Sequence, residues 1–214
     1  MEFLNLYLYL SIAVPLSVVL IMSKSKTKSL VCFVIIGLTV ALFCGEVNGA
    51  VSGLLPYSKE AYVTTFSPMI EELLKMLPIF VCAFALKPTR QDIIERSIAV
   101  GVGFAILENA FVFASSALQI DILTAILRAF GAGMMHVMTM LFVGFGLSFV
   151  YDKRKLFLSG SIGLVATAII YHSIYNYLVC CGYYIAGFLM PTLIFIPSML
   201  FIKKICREEP SSYE

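Results

Sequence analysis

The chain has two histidines, His136 and His172, and both fall in apolar stretches long enough to cross a bilayer. Glutamates occupy comparable stretches: Glu71 and Glu72 with Lys75 in SPMIEELLKMLP, and Glu108 followed by Asn109 in GVGFAILENAF. His136 sits in GAGMMHVMTM, and His172 shares YHSIYNY with Asn176. An ionisable group in hydrocarbon costs roughly several kcal/mol, so each is a functional candidate by default. A carboxylate shielded from bulk water can draw a proton from a water molecule, and imidazole or amide N–H groups can donate to a developing oxyanion. Glutamate and histidine are also zinc ligands, and such a set with an open position activates water. The H-E-x-x-H helix of the common zinc proteases is absent. Nothing signals a serine or cysteine nucleophile of the triad kind.

Spacing refines the roles. Glu71 and Lys75 are four apart and Glu72 and Lys75 three apart, so either pair can meet on a helix surface. The two glutamates point about 100° apart and cannot play the same part. Ser67 and Pro68 read as the N-cap and first residue of their helix, which would put both glutamates near its positive end. Pro78 predicts a kink beside Lys75. Phe104 and Glu108 share a helix face, as do His172 and Asn176. Glu46 and Asn48 read as interfacial, and Tyr175 and Tyr177 as belt or packing residues. Gly101, Gly103, Gly131, Gly133, Gly144, Gly146, Gly160 and Gly163 would let the helices approach closely.

The elements that must position these groups follow from composition. The 214 residues are 60% hydrophobic and 13% charged, with a mean hydropathy of +0.96. That is far above the norm of a soluble domain. About seven stretches reach span length: Phe3–Met22, Leu30–Ala50, Phe66–Leu86, Ser97–Leu118, Ala125–Val150, Leu156–Val179 and Tyr183–Ile202. The expectation is an all-α transmembrane bundle forming one domain over residues 1–202, its motif-bearing core at about 66–180, followed by a polar tail at 203–214. Of 15 basic residues, 12 fall in alternate connections: Lys24, Lys26, Lys28; Lys87, Arg90, Arg96; Lys153, Arg154, Lys155; and Lys203, Lys204, Arg207. The positive-inside rule then puts the N-terminus outside and the C-terminus in the cytoplasm. The first span lacks a basic leader and is expected to be retained rather than cleaved. Six cysteines without C-x-x-C spacing read as free thiols. The net charge of +2 marks topology, and no nucleic-acid partner is expected.

Depth along these spans brings the candidates together. At about 1.5 Å per residue, Glu71 lies about 6 Å below the outer boundary and Glu108 about 16 Å above the inner one. His136 lies about 12–18 Å in from outside, and His172 about 24 Å up from inside. All four fall between the midplane and the outer boundary, as a shared site requires.

In these residues the sequence resembles the PrsW family of intramembrane proteases, within the larger group of CAAX prenyl endopeptidases and bacteriocin-processing membrane proteases. The E-E-x-x-K motif is matched by Glu71, Glu72 and Lys75, and F-x-x-x-E followed by Asn by Phe104, Glu108 and Asn109. His136 matches the histidine of the next span. His172 matches the start of H-x-x-x-D, where position 176 is Asn as in the H-x-x-x-N of the CAAX-type enzymes.

The resemblance implies peptide-bond hydrolysis in a multi-pass protein of the bacterial plasma membrane, acting on a single-span membrane protein such as an anti-sigma factor. It implies Glu71 as the base, Glu108 holding the same water, and His136 orienting that water or joining the oxyanion site. His172 and Asn176 would be oxyanion donors, with Glu72 and Lys75 bracing the helix. No cofactor is expected to be required; the alternative is Zn2+ on Glu71, Glu108, His136 and His172. Two rival readings are a proton- or ion-coupled transporter and a catalytically silent immunity or binding relative. Transporters usually carry inverted repeats, which this chain lacks.

Overall fold

A computed structural model describes residues 25–86, 88–116, 122–151 and 153–208. They form six helices: α1 (Ser25–Leu54), α2 (Lys59–Leu86), α3 (Arg90–Ser116), α4 (Ile122–Val150), α5 (Arg154–Cys180) and α6 (Tyr184–Glu208). No strand occurs among the described residues. The predicted span Phe3–Met22 lies outside them, as do residues 209–214 of the expected tail. Helix α6 runs past the expected Ile202 boundary to Glu208.

Among the described residues, four helices are long and apolar enough to cross a membrane: Lys26–Leu54, Arg90–Ser115, Ala125–Val150 and Lys155–Cys180. A shorter apolar stretch covers Tyr184–Ser198. Helix α2 has the length but carries Glu71, Glu72 and Lys75 near its middle, which hydrocarbon rejects unless neighbouring helices pair them.

The start of α2 corrects one expectation. The helix begins eight residues before Ser67, and Pro68 lies inside it. Ser58 is the capping residue: its Oγ accepts from the Ala61 N–H at 3.2 Å, and its carbonyl accepts from Tyr62 N–H at 2.9 Å. Glu71 and Glu72 therefore sit at mid-helix and not beside a positive helix end. Ser67 has a different task, described below.

Helix α4 is the hub, packing on α2, α3, α5 and α6, while α3 packs chiefly on α4 and α1. Bilayer lipid provides no hydrophobic drive between helices, so close packing through small residues must do this work. A Cβ at Gly101 would come within 2.7 Å of the His136 carbonyl, so glycine there lets α3 lie directly against α4 at the histidine. Phe33, Ile79, Ile93, Val100, Met140 and Leu147 form the main apolar core. The five cysteines with described side chains are free.

Candidate active site

Four helices deliver ionisable groups to one buried place. Glu71, Glu72 and Lys75 come from α2, Glu108 from α3, His136 from α4 and His172 from α5. Glu72 and Lys75 are fully buried, and His136, His172 and Glu71 are no more than 8% exposed. The order of contacts explains how such burial is tolerated. Lys75 Nζ donates to Glu72 Oε1 at 2.6 Å and to His136 Nδ1 at 2.9 Å, and it lies 4.5 Å from the Phe104 ring centroid. The ammonium thus has a counter-ion, a lone pair and an aromatic face.

Lysine offers donors only, so His136 Nδ1 accepts and its Nε2–H is free to donate. That second nitrogen meets Glu108 Oε2, and the other Glu108 oxygen meets Arg128 Nη2 at 3.4 Å. Glu72 Oε1 also receives His172 Nδ1–H at 2.7 Å, which turns His172 Nε2 toward Glu71. Glu71 Oε2 lies 3.9 Å from that nitrogen and has no hydrogen-bond partner; Glu72 Oε2 has none either. The Phe104 ring packs against His136 at a tilt of 49° with centroids 4.8 Å apart, and the two histidine rings meet edge-on at 5.1 Å.

The two glutamates therefore differ, as their 100° offset required. Glu72 is engaged by a cation and an imidazole. Glu71 is held from behind, its Oε1 accepting from Ser67 Oγ at 2.7 Å and Asn48 Nδ2 at 3.5 Å, with Oε2 pointing into the cluster. Tyr62 donates its hydroxyl to Asn48 Oδ1 at 2.9 Å and so steadies that contact.

Seven of the nine sequence-predicted residues, including Phe104, meet here. Asn176 and Asn109 do not join the ion network. Asn176 Nδ2 donates to the Val63 carbonyl at 2.9 Å, tying α5 to α2. Asn109 Nδ2 reaches the Ala129 carbonyl at 3.5 Å. Sequence reasoning missed Asn48, Tyr62, Ser67 and Arg128 as parts of the site. The signal for Arg128 was available, since it is the one basic residue within the predicted span Ala125–Val150.

A divalent cation can be tested against these atoms. Glu71, His136 and His172 each offer one ligand atom, all within 4.8 Å of one another. One carboxylate and two imidazoles make a donor set that zinc takes in proteases, and the unpartnered Glu71 Oε2 fits such a ligand. His136 would first have to release Lys75 or Glu108.

The model of the PrsW family, described as intramembrane metalloproteases, matches residues 25–202. The chain belongs to the PrsW family. The PrsW match covers every residue of the cluster and nearly all of the six helices. Membership makes the chain an intramembrane peptidase in general terms, in keeping with its apolar helices. No curated protein and no solved structure gives a match.

Proposed function

We propose that this protein hydrolyses a peptide bond of a single-span membrane protein, such as an anti-sigma factor, with Glu71 drawing the proton from the attacking water. The observation that carries this reading is Glu71 Oε2: buried, without a hydrogen-bond partner, and 3.9 Å from His172 Nε2. Two acceptor atoms facing each other at that separation suit a donor between them, and a water can donate to both. Ser67 and Asn48 hold the carboxylate in place, and Glu72 sets the tautomer of His172. As the water attacks, its proton passes to Glu71, which can return it to the leaving amine, while His172 Nε2 accepts the water's other hydrogen and fixes its orientation. His136 borders the same space with both ring nitrogens engaged by Lys75 and Glu108, so it would donate to the growing negative charge only by releasing Glu108.

A second reading is favoured by the Glu71, His136 and His172 donor set and by the family's description as metalloproteases. A divalent ion held by those three residues would polarise the scissile carbonyl and ease deprotonation of water. Metal analysis of active protein before and after chelation decides between the two. We expect activity to survive chelation; activity that tracks one bound metal per chain would establish the second reading.

The reading includes seven spans with the N-terminus outside, supported by the segregation of 12 of 15 basic residues. On that orientation the glutamates and histidines of the cluster lie eight to fourteen residues from the outer ends of α2–α5, which is about 12–21 Å along the helices. Helices of this length run about 40 Å against a hydrocarbon core of about 30 Å, so the cluster lies roughly 6–15 Å below the outer boundary. Glu71 is then about 12 Å deep rather than about 6 Å, because α2 starts at Lys59. Cleavage should fall in the outer half of the substrate's span. Co-expression with candidate single-span proteins, comparing wild type with Glu71→Gln, tests the activity, and mass spectrometry of the products tests the depth. Equal cleavage by Glu71→Gln would remove it as the base; a cut in the cytoplasmic half would overturn the orientation. A wild type that cleaves nothing would favour transport or silent binding.

A further inference from the structure

Beside the ion network, a groove of about 250 Å³ runs along the seam of α3 and α4, lined by Val102, Ala105, Ile106, Asn109, Gly133 and Met134 among others. Its walls are apolar, and Asn109 is the one polar side chain lining it. The Asn109 Oδ1 atom is buried without a hydrogen-bond partner. An unsatisfied acceptor in such a setting calls for a donor.

Gly133 is the second observation. A helix-interior glycine costs about 1 kcal/mol relative to alanine. At Gly101 close contact with the His136 carbonyl explains it, but a Cβ at Gly133 would meet only Asn109 Nδ2, at an ordinary 3.8 Å. No helix contact requires glycine at 133, and its effect is to leave the groove floor open. The groove also adjoins the chemistry: Asn109 follows Glu108, while Gly133 lies one turn before His136 and Val137 directly after it.

The chemistry selects the occupant. An acyl chain would satisfy the walls but has no donor for Asn109. A helix, about 10–12 Å across with its side chains, is too wide for this volume, and its N–H groups are already used. An extended peptide carries a free N–H on successive residues and fits a shallow, small-floored groove. We propose that the groove seats an extended stretch of the substrate's membrane segment adjoining the scissile bond, with Asn109 Oδ1 accepting a backbone N–H. This rests on the protease reading.

The test uses the full-length protein in vesicles with a single-span substrate that the wild type cleaves. Gly133→Leu should raise KM about tenfold or more with little change in kcat, the pattern of lost binding. Gly163→Leu on α5, where an added Cβ meets nothing within 4 Å, should leave both unchanged. A photo-crosslinking residue at Ile106, in the Glu71→Gln background, should capture the substrate. The same residue at Ile170, which is exposed on α5, should not. This second measurement decides the matter if Gly133→Leu fails to fold. Unchanged KM in a folded Gly133→Leu, or capture of lipid alone at Ile106, would overturn the groove proposal while leaving the protease reading intact. A wild type without activity on any substrate would instead defeat the protease reading.

Discussion

Near the start of α3, Arg96 reaches Ser29 and Cys82 on two other helices, Lys26 pairs with Glu95 at 3.0 Å, and Arg90 lies over the Phe149 ring. Roughly three turns beyond Arg96 on the same helix, Glu108 enters a network with His136, Lys75 and Glu72. Both regions are polar contacts that join helices, but their surroundings differ. The Lys26 side chain is 66% exposed, whereas Lys75 has no exposed surface. At the helix ends, long basic side chains can lay their stems on apolar surface and keep their heads in water. In the middle no such escape exists, and each charge must be matched by a partner. The end region suffices to hold helices together. The middle region adds something that holding does not need: carboxylate oxygens on Glu71 and Glu72 that are buried and unpartnered.

Breaking the chemical region should produce the largest effects. Glu108→Gln and His172→Ala should each lower turnover about 10²–10⁴-fold while the protein remains folded, as loss of a proton-transfer or charge-stabilising group does. Single-turnover cleavage of a vesicle-embedded substrate reads this. Activity near wild type in either variant would reduce that residue to a structural polar like Arg96.

The next effect contrasts the two lysines. Lys75→Ala should destabilise the fold by about 3–5 kcal/mol, because it strands buried Glu72 without its counter-ion. Lys26→Ala, which removes a largely exposed side chain, should cost less than about 1 kcal/mol. Thermal unfolding in one detergent compares them directly; similar losses would erase the distinction between the regions.

Arg128 lies between the two extremes, one-quarter exposed and 3.4 Å from Glu108. Arg128→Gln should lower kcat roughly fivefold to tenfold, the equivalent of about 1 kcal/mol, with KM unchanged. Arg128→Lys should recover most of it. If Arg128 acts by holding Glu108, adding Arg128→Gln to Glu108→Gln should cost little more. Additive losses would separate Arg128 from the network.

Much of the site was legible because hydrocarbon makes charge conspicuous. Glu71, Glu72, Lys75, Glu108, His136 and His172 stand out in apolar runs, and helical rise alone brought them to similar depths. Side chains that are unremarkable by type were missed. Ser67 looks like a helix start because Pro68 follows it, yet Ser58 caps the helix and the Ser67 hydroxyl holds Glu71 instead. Asn48 sits near a helix end, where a polar residue needs no explanation, and only its position across from α2 makes it a second support for Glu71.

The residue order by itself determined that the described chain would be helical and largely apolar, and which ionisable groups would share one layer. Hydrophobicity and a fixed rise per residue act along the chain, so both can be read without knowing how helices pack. The tertiary structure alone decided which glutamate oxygens are left open and which of them faces an imidazole nitrogen. Pairing depends on the rotation and lateral placement of each helix about α4, set by small-residue contacts such as Gly101 against His136. Those contacts give Glu72 to Lys75 and His172, give Glu108 to His136, and leave Glu71 Oε2 facing an imidazole across 3.9 Å.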